Sequence, residues 1–87
     1  MKIFKYSIEP FNAIEIPKGA QILEVGAQAG NLYLWALVDP EAPPTLRKFE
    51  TFGTGHELPD DFEGTYIGTA HGVSGWMVFH VFDIGEL

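Results

Sequence analysis

Apolar and polar positions alternate along residues 2–8, KIFKYSI: Phe4, Tyr6 and Ile8 fall on one side, Ile3, Lys5 and Ser7 on the other. Period two predicts a half-buried β-strand. The next residues, EPFN, end it, because Pro10 has no amide hydrogen to offer a ladder. AIEI (13–16) predicts a short second strand and QILEVGAQ (21–28) a third, with Gly26 inside it as a bulge or a close approach of another backbone. Ala29, Gly30 and Asn31 form a tight connection in which Gly30 and Asn31 tolerate positive φ. LYLWALV (32–38) is apolar on both sides. That pattern marks a central strand covered on two faces, here hairpinned to the strand before it.

Residues 39–45, DPEAPPT, carry three of the six prolines and read as a loop. LRKFETF (46–52) is a strand ended by GTG, although Leu46, Phe49 and Phe52 also recur at a helical spacing. Residues 65–70 and 76–82 follow as strands joined by HGVSG. In the last, Met77, Phe79 and Val81 share one face and Val78, His80 and Phe82 the other. Pairing residue 70 with 77 sets Ile67 opposite His80. Seven short strands and no long helix predict one all-β domain over residues 1–87, an antiparallel sheet curled into a barrel or a sandwich.

Composition narrows the function. Apolar residues make up 46% and aromatics 14% of the 87 residues, enough for one dense core and too much for a disordered chain. Twelve acidic residues oppose five basic ones, a formal charge of −7. Such a field repels phosphates, so nucleic acid is not an expected partner. With no cysteine there is neither a disulfide framework nor a thiolate metal site. No apolar run reaches the roughly 20 residues that cross a bilayer, and residues 1–10 lack the apolar core of a signal peptide. The expectation is a protein of the cytoplasm with no membrane contact.

Several stretches together resemble a known family: IPKGAQILEVGAQAGNLYLWALVDPEA, then GTGHELPDD, YIGTA and VFHVF. They are similar to small proteins of tailed phages and prophages, catalogued as a domain of unknown function. The resemblance covers nearly the whole chain. It implies a phage or prophage accessory gene acting in the host cell's cytoplasm, and implies no activity and no catalytic residues.

Candidate chemistry concentrates in GTGHELPDDFEG (53–64). His56 with Glu57, Asp60, Asp61 and Glu63 offers nitrogen and oxygen donors, but at no recognised ligand spacing, so no metal or other cofactor is expected. The plainer reading has Gly53 and Gly55 adopting conformations that other residues resist, with His56 and Asp60 satisfying loop backbone groups. His80 lies towards this loop, where a joint His56–His80–acid site is geometrically possible, or else it bonds a backbone carbonyl. His71 reads as an exposed turn residue. GTG lacks the lysine and helix of a phosphate loop, and no nucleophile elbow is present. No enzyme is expected.

Phe62 and Trp76 are the aromatics placed to reach solvent, as binding anchors or as lids over the core. The contact residues to watch are therefore His56, Asp60, Asp61, Phe62, Trp76 and His80. The expected function is a non-enzymatic accessory protein that binds a host or phage protein. One rival is a small-molecule or nucleotide site under the 53–64 loop or between subunits, which for a nucleotide needs Lys18, Arg47 and Lys48 to converge. Another is a minor structural part of the virion. A two-sided apolar strand without a covering helix further predicts a homodimer that buries residues 32–38 or 76–82.

Overall fold

The computed structural model describes residues 1–8 and 13–87. The strand-breaking role assigned to Pro10 lies outside the described residues. Seven strands run in chain order: β1 (Lys2–Ser7), β2 (Ala13–Pro17), β3 (Gln21–Gln28), β4 (Asn31–Val38), β5 (Pro44–Gly53), β6 (Thr65–Val73) and β7 (Met77–Glu86). No α-helix occurs among the described residues. None is therefore long and apolar enough to cross a membrane.

The strands form two antiparallel sheets, ordered β1-β4-β3 and β2-β5-β7-β6. Neither closes on itself, so the architecture is sandwich-like, and of the two expected forms the barrel is set aside. The alternation in β4 explains why. Leu32, Leu34, Ala36 and Val38 are all buried, and they meet Phe49, Ala70, Val73 and Val81 of the other sheet in one core. Two sheets facing each other bury one face apiece, which leaves Tyr33, Trp35 and Leu37 half-buried on the outer face of the first sheet. As expected, β4 is central and hairpinned to β3.

The sheets approach most closely along β3 and β6, which run side by side in the same direction. Gly68 sits against Val25, and the Ser74 amide donates to the Gly30 carbonyl at 2.7 Å. Only a residue without a side chain fits there. A Cβ at position 68 would fall 2.5 Å from Val25 Cγ2.

Several local expectations are corrected. The β3–β4 turn has positive φ at Ala29 (50°) and Gly30 (79°), not at Asn31, which already belongs to β4. Two consecutive positive φ values are what a two-residue hairpin turn demands. The irregularity in β3 lies between Ile22 and Glu24, at Leu23. Gly26 instead makes room for the Trp35 ring, 3.4 Å from where its Cβ would stand. β5 starts at Pro44, earlier than its prolines indicate. Pro44 is opposite Pro17 of the edge strand β2, at the end of the ladder, where a missing amide hydrogen costs least. β6 continues to Val73, so His71 is an exposed strand residue and Ser74–Trp76 form the turn. β7 begins at Met77 and runs to Glu86.

Candidate functional site

The loop from Gly53 to Gly64 is built from two tight turns. In the first, the His56 amide donates to the Gly53 carbonyl at 3.1 Å, and Gly55 takes φ +88°, the left-handed value that a turn's third residue requires here. Gly53 has a different task. The His56 imidazole folds back over it, and a Cβ at 53 would stand 2.9 Å from Cε1. In the second turn the Phe62 amide donates to the Pro59 carbonyl at 2.9 Å, which leaves Asp60 and Asp61 exposed at the tip.

That second turn returns Phe62 to the outer face of the β2-β5-β7-β6 sheet. Its ring packs edge-on against Phe52 and Phe82, each with centroids 5.2 Å away, and Tyr66 adds a fourth ring 5.6 Å from Phe82. Phe62 is thus a lid over a small aromatic cluster, fastening the loop by apolar burial.

His80 is held on the same outer face. A bulge at Ile67, between Tyr66 and Gly68, shifts the β6–β7 register, so Thr69 rather than Ile67 lies opposite His80. The extra residue also places Tyr66 and Thr69 on one face although they are three positions apart. A continuous chain of contacts results: Tyr66 Oη to Thr69 Oγ1 at 2.5 Å, Thr69 Oγ1 to His80 Nδ1 at 3.0 Å, and His80 Nε2 to Thr54 Oγ1 at 2.8 Å. A neutral imidazole donates from one ring nitrogen and accepts at the other, so the hydroxyls at its two ends play opposite roles. The expected partner, a backbone carbonyl, is replaced by two threonines.

Among the described residues no carboxylate bonds either His56 or His80, and no three histidine, aspartate or glutamate side chains gather as a metal set. The joint His56–His80–acid arrangement does not form. The two histidines are linked only through Thr54, which bonds His80 and borders the recess that contains His56.

That recess is shallow, about 440 Å³, and lies between the first turn and the β6–β7 turn. Gly53, Thr54, His56, Trp76, Met77 and Val78 line it. Trp76 stands at its rim with 80% of its surface exposed. Of the six residues singled out from sequence, His56 and Trp76 share this recess, and His80 stands one hydrogen bond behind it. Phe62, Asp60 and Asp61 belong to the second turn. Thr54, Thr69 and Tyr66 were not singled out. Their connection depends on a bulge that only the glycine of TYIGT hints at.

Arg47 and Lys48, two of the three cations that a nucleotide site needs, do not converge on a phosphate site. Arg47 and Lys48 are adjacent in β5 and point to opposite faces. Arg47 turns inward, donating to both Asp83 oxygens at 3.2 and 2.6 Å and to the Ala20 carbonyl at 2.5 Å. Lys48 pairs with Glu50 at 3.3 Å.

A family model described as a domain of unknown function (DUF7352) matches residues 1–86, and the chain belongs to that family. No curated protein and no solved structure matches it.

Proposed function

We propose that the chain is a non-enzymatic accessory protein of a phage or prophage that binds another protein, of the host or of the phage, in the host cytoplasm. The observation that carries this reading is Trp76, four-fifths exposed at the tip of a two-strand turn and bordering a recess floored by Met77 and Val78. An indole held out on a rigid hairpin costs apolar hydration in the free protein and loses little conformational entropy on docking, which is the character of an interface anchor. The open, shallow shape of the recess fits a protein surface better than an engulfed ligand. Non-catalytic action is supported by His80, whose ring nitrogens are both taken by threonines, with no carboxylate among the described residues to orient them. The phage setting rests on the resemblance of the PKG, DPEA and GTGH segments.

A benzophenone amino acid in place of Trp76 tests the reading in producing cells. It should yield a discrete photo-crosslinked adduct with a second protein, and the same group at Glu41 should not. Equal labelling from both positions contradicts the assignment.

The protein is further proposed to act as a homodimer through the outer face of the β1-β4-β3 sheet. Ile3 is 61% exposed there and lies opposite Leu37, beside the half-buried Trp35 and Tyr33. The three strands of this sheet hold two lysines against one glutamate, in a chain of net charge −7. Two copies meeting there avoid the repulsion that the remaining, strongly acidic part of the chain would impose.

A further inference from the structure

Lysine and arginine stop at residue 48. Residues 49–87 hold seven aspartates and glutamates and not one lysine or arginine. The fold gathers those residues around Trp76, because they form β6, β7, the end of β5 and the loops that join them. The five cations lie elsewhere or are engaged. Lys2 and Lys5 belong to β1 of the other sheet, Lys5 donating to Gln28 Oε1 at 3.0 Å. Lys18 follows Pro17, which is opposite Pro44 at the start of β5, whereas Gly53 at the far end of β5 is opposite Phe79 and borders the recess. Arg47 and Lys48 are held by Asp83 and Glu50.

The loop that leaves β5 at Gly53 starts at the recess and enters β6 at Thr65, opposite Asp83. Between these points it crosses the outer face of β7, where Phe62 meets Phe52 and Phe82. It carries Glu57, Asp60, Asp61 and Glu63, all exposed, and Glu57 directly follows His56 of the recess lining. Among the described residues none of the four has an ion-pair partner, and residues 9–12 include no lysine or arginine that could be one. Four like charges in residues 57–63 repel one another, and a cationic partner relieves that repulsion. Nucleic acid, anionic lipid or a second copy of this face would add to it. Beside these charges Trp76 holds out an indole, the aromatic surface that attracts cations most strongly. Met77 and Val78 add apolar surface next to it.

We propose that the recess beside Trp76 takes a basic segment of the partner protein. An arginine or lysine of that segment lies over the indole, an apolar neighbour rests on Met77 and Val78, and further cations face the carboxylates of the 53–64 loop. This rests on the reading of Trp76 as an interface anchor and adds the chemistry of what it anchors.

A labelled repeat peptide of arginine, leucine and glycine tests it by fluorescence polarisation, with two counterparts carrying citrulline or glutamate in place of arginine. Citrulline keeps the shape of arginine and removes its charge. The arginine peptide should bind the full chain saturably with a Kd below about 1 mM, and both counterparts at least about tenfold more weakly. Trp76→Ala should weaken the arginine peptide about fivefold or more, the value of a cation over an indole. Neutralising the loop with Glu57→Gln/Asp60→Asn/Asp61→Asn should weaken it about five- to tenfold. Glu15→Gln/Asp39→Asn/Glu41→Gln removes the same charge from exposed positions towards the opposite ends of β4 and β5 and should change little. Equal binding of the citrulline peptide, still lost on Trp76→Ala, would overturn the basic partner and leave the anchor standing. Binding that ignores Trp76→Ala, or that falls equally with the two triple variants, would show attraction to net charge alone and overturn the proposal. So would the absence of saturable binding, whereas the anchor reading is decided separately by the crosslink from position 76.

Discussion

Gly68 and Val25 are in contact where the two sheets run side by side, with no room for a Cβ between them: it would meet Val25 Cγ2 at 2.5 Å. Val25 is buried and β-branched, so it has no free rotamer into which to retreat. Gly68→Ala should therefore force β3 and β6 apart and cost about 2 kcal/mol, as overpacked cores do. Adding Val25→Ala should return part of that loss. Urea denaturation of the single and double variants measures the coupling, and simple additivity would show that the contact is not the cause.

The Tyr66–Thr69–His80–Thr54 chain makes a second prediction. Thr69 is its junction, contacting both the tyrosine hydroxyl and the imidazole. Thr69→Val should cost about 1–2 kcal/mol, because two hydrogen bonds go and the partners are part-exposed and can turn to water. Tyr66→Phe, removing one bond at the end of the chain, should cost less. If the two variants unfold at the same urea concentration, the junction role is wrong.

Much of this architecture is legible in the residues. The two-sided apolar run at 32–38 identifies the central strand, and the alternation Met77, Phe79, Val81 correctly gives the inward row of β7. What escapes is wherever one extra residue enters a strand. The bulge at Ile67 changes which residue faces His80, and the unpaired Gly72 lets β6 continue through a segment that reads as a turn. A bulge leaves the alternation intact on either side and only shifts its phase, so periodicity alone cannot place it. The GTGH loop was half legible. Its glycines do hold special positions, Gly55 by its φ and Gly53 by the imidazole over it. That His80 bonds hydroxyls while His56 lies on a backbone follows from long-range pairing, which local spacing does not encode.

Arg47 and Asp83 form a two-pronged ion pair at one end of the sandwich, their side chains only 14% and 12% exposed. Arg47→Met leaves a mostly buried carboxylate without its partner and should cost about 3 kcal/mol. For a chain of this length that lowers Tm by more than about 10 °C. The double variant Arg47→Met/Asp83→Leu should recover most of it, since two apolar groups need no desolvated charge to be matched. A double variant as unstable as the single one would argue against the ion pair as the source of the loss.

Self-association gives a direct reading by light scattering on a sizing column. The wild type at tens of micromolar should have twice the 9.6 kDa of one chain. Ile3→Asp should reduce this to a folded monomer, because the side chain is mostly exposed in a single copy, and its Tm should no longer rise with protein concentration as that of the dimer does. A wild type of 9.6 kDa would refute the dimer.

The central claim is that Trp76 anchors a protein partner, and affinity capture from host lysate with quantitative mass spectrometry tests it most directly. Wild-type protein and Trp76→Ala should share the same Tm, since an 80% exposed side chain contributes little to folding. At least one protein should be retained by the wild type and depleted tenfold or more with Trp76→Ala, while Tyr66→Phe, altered on the other side of His80, retains it. Identical retained sets for the wild type and Trp76→Ala would contradict the account.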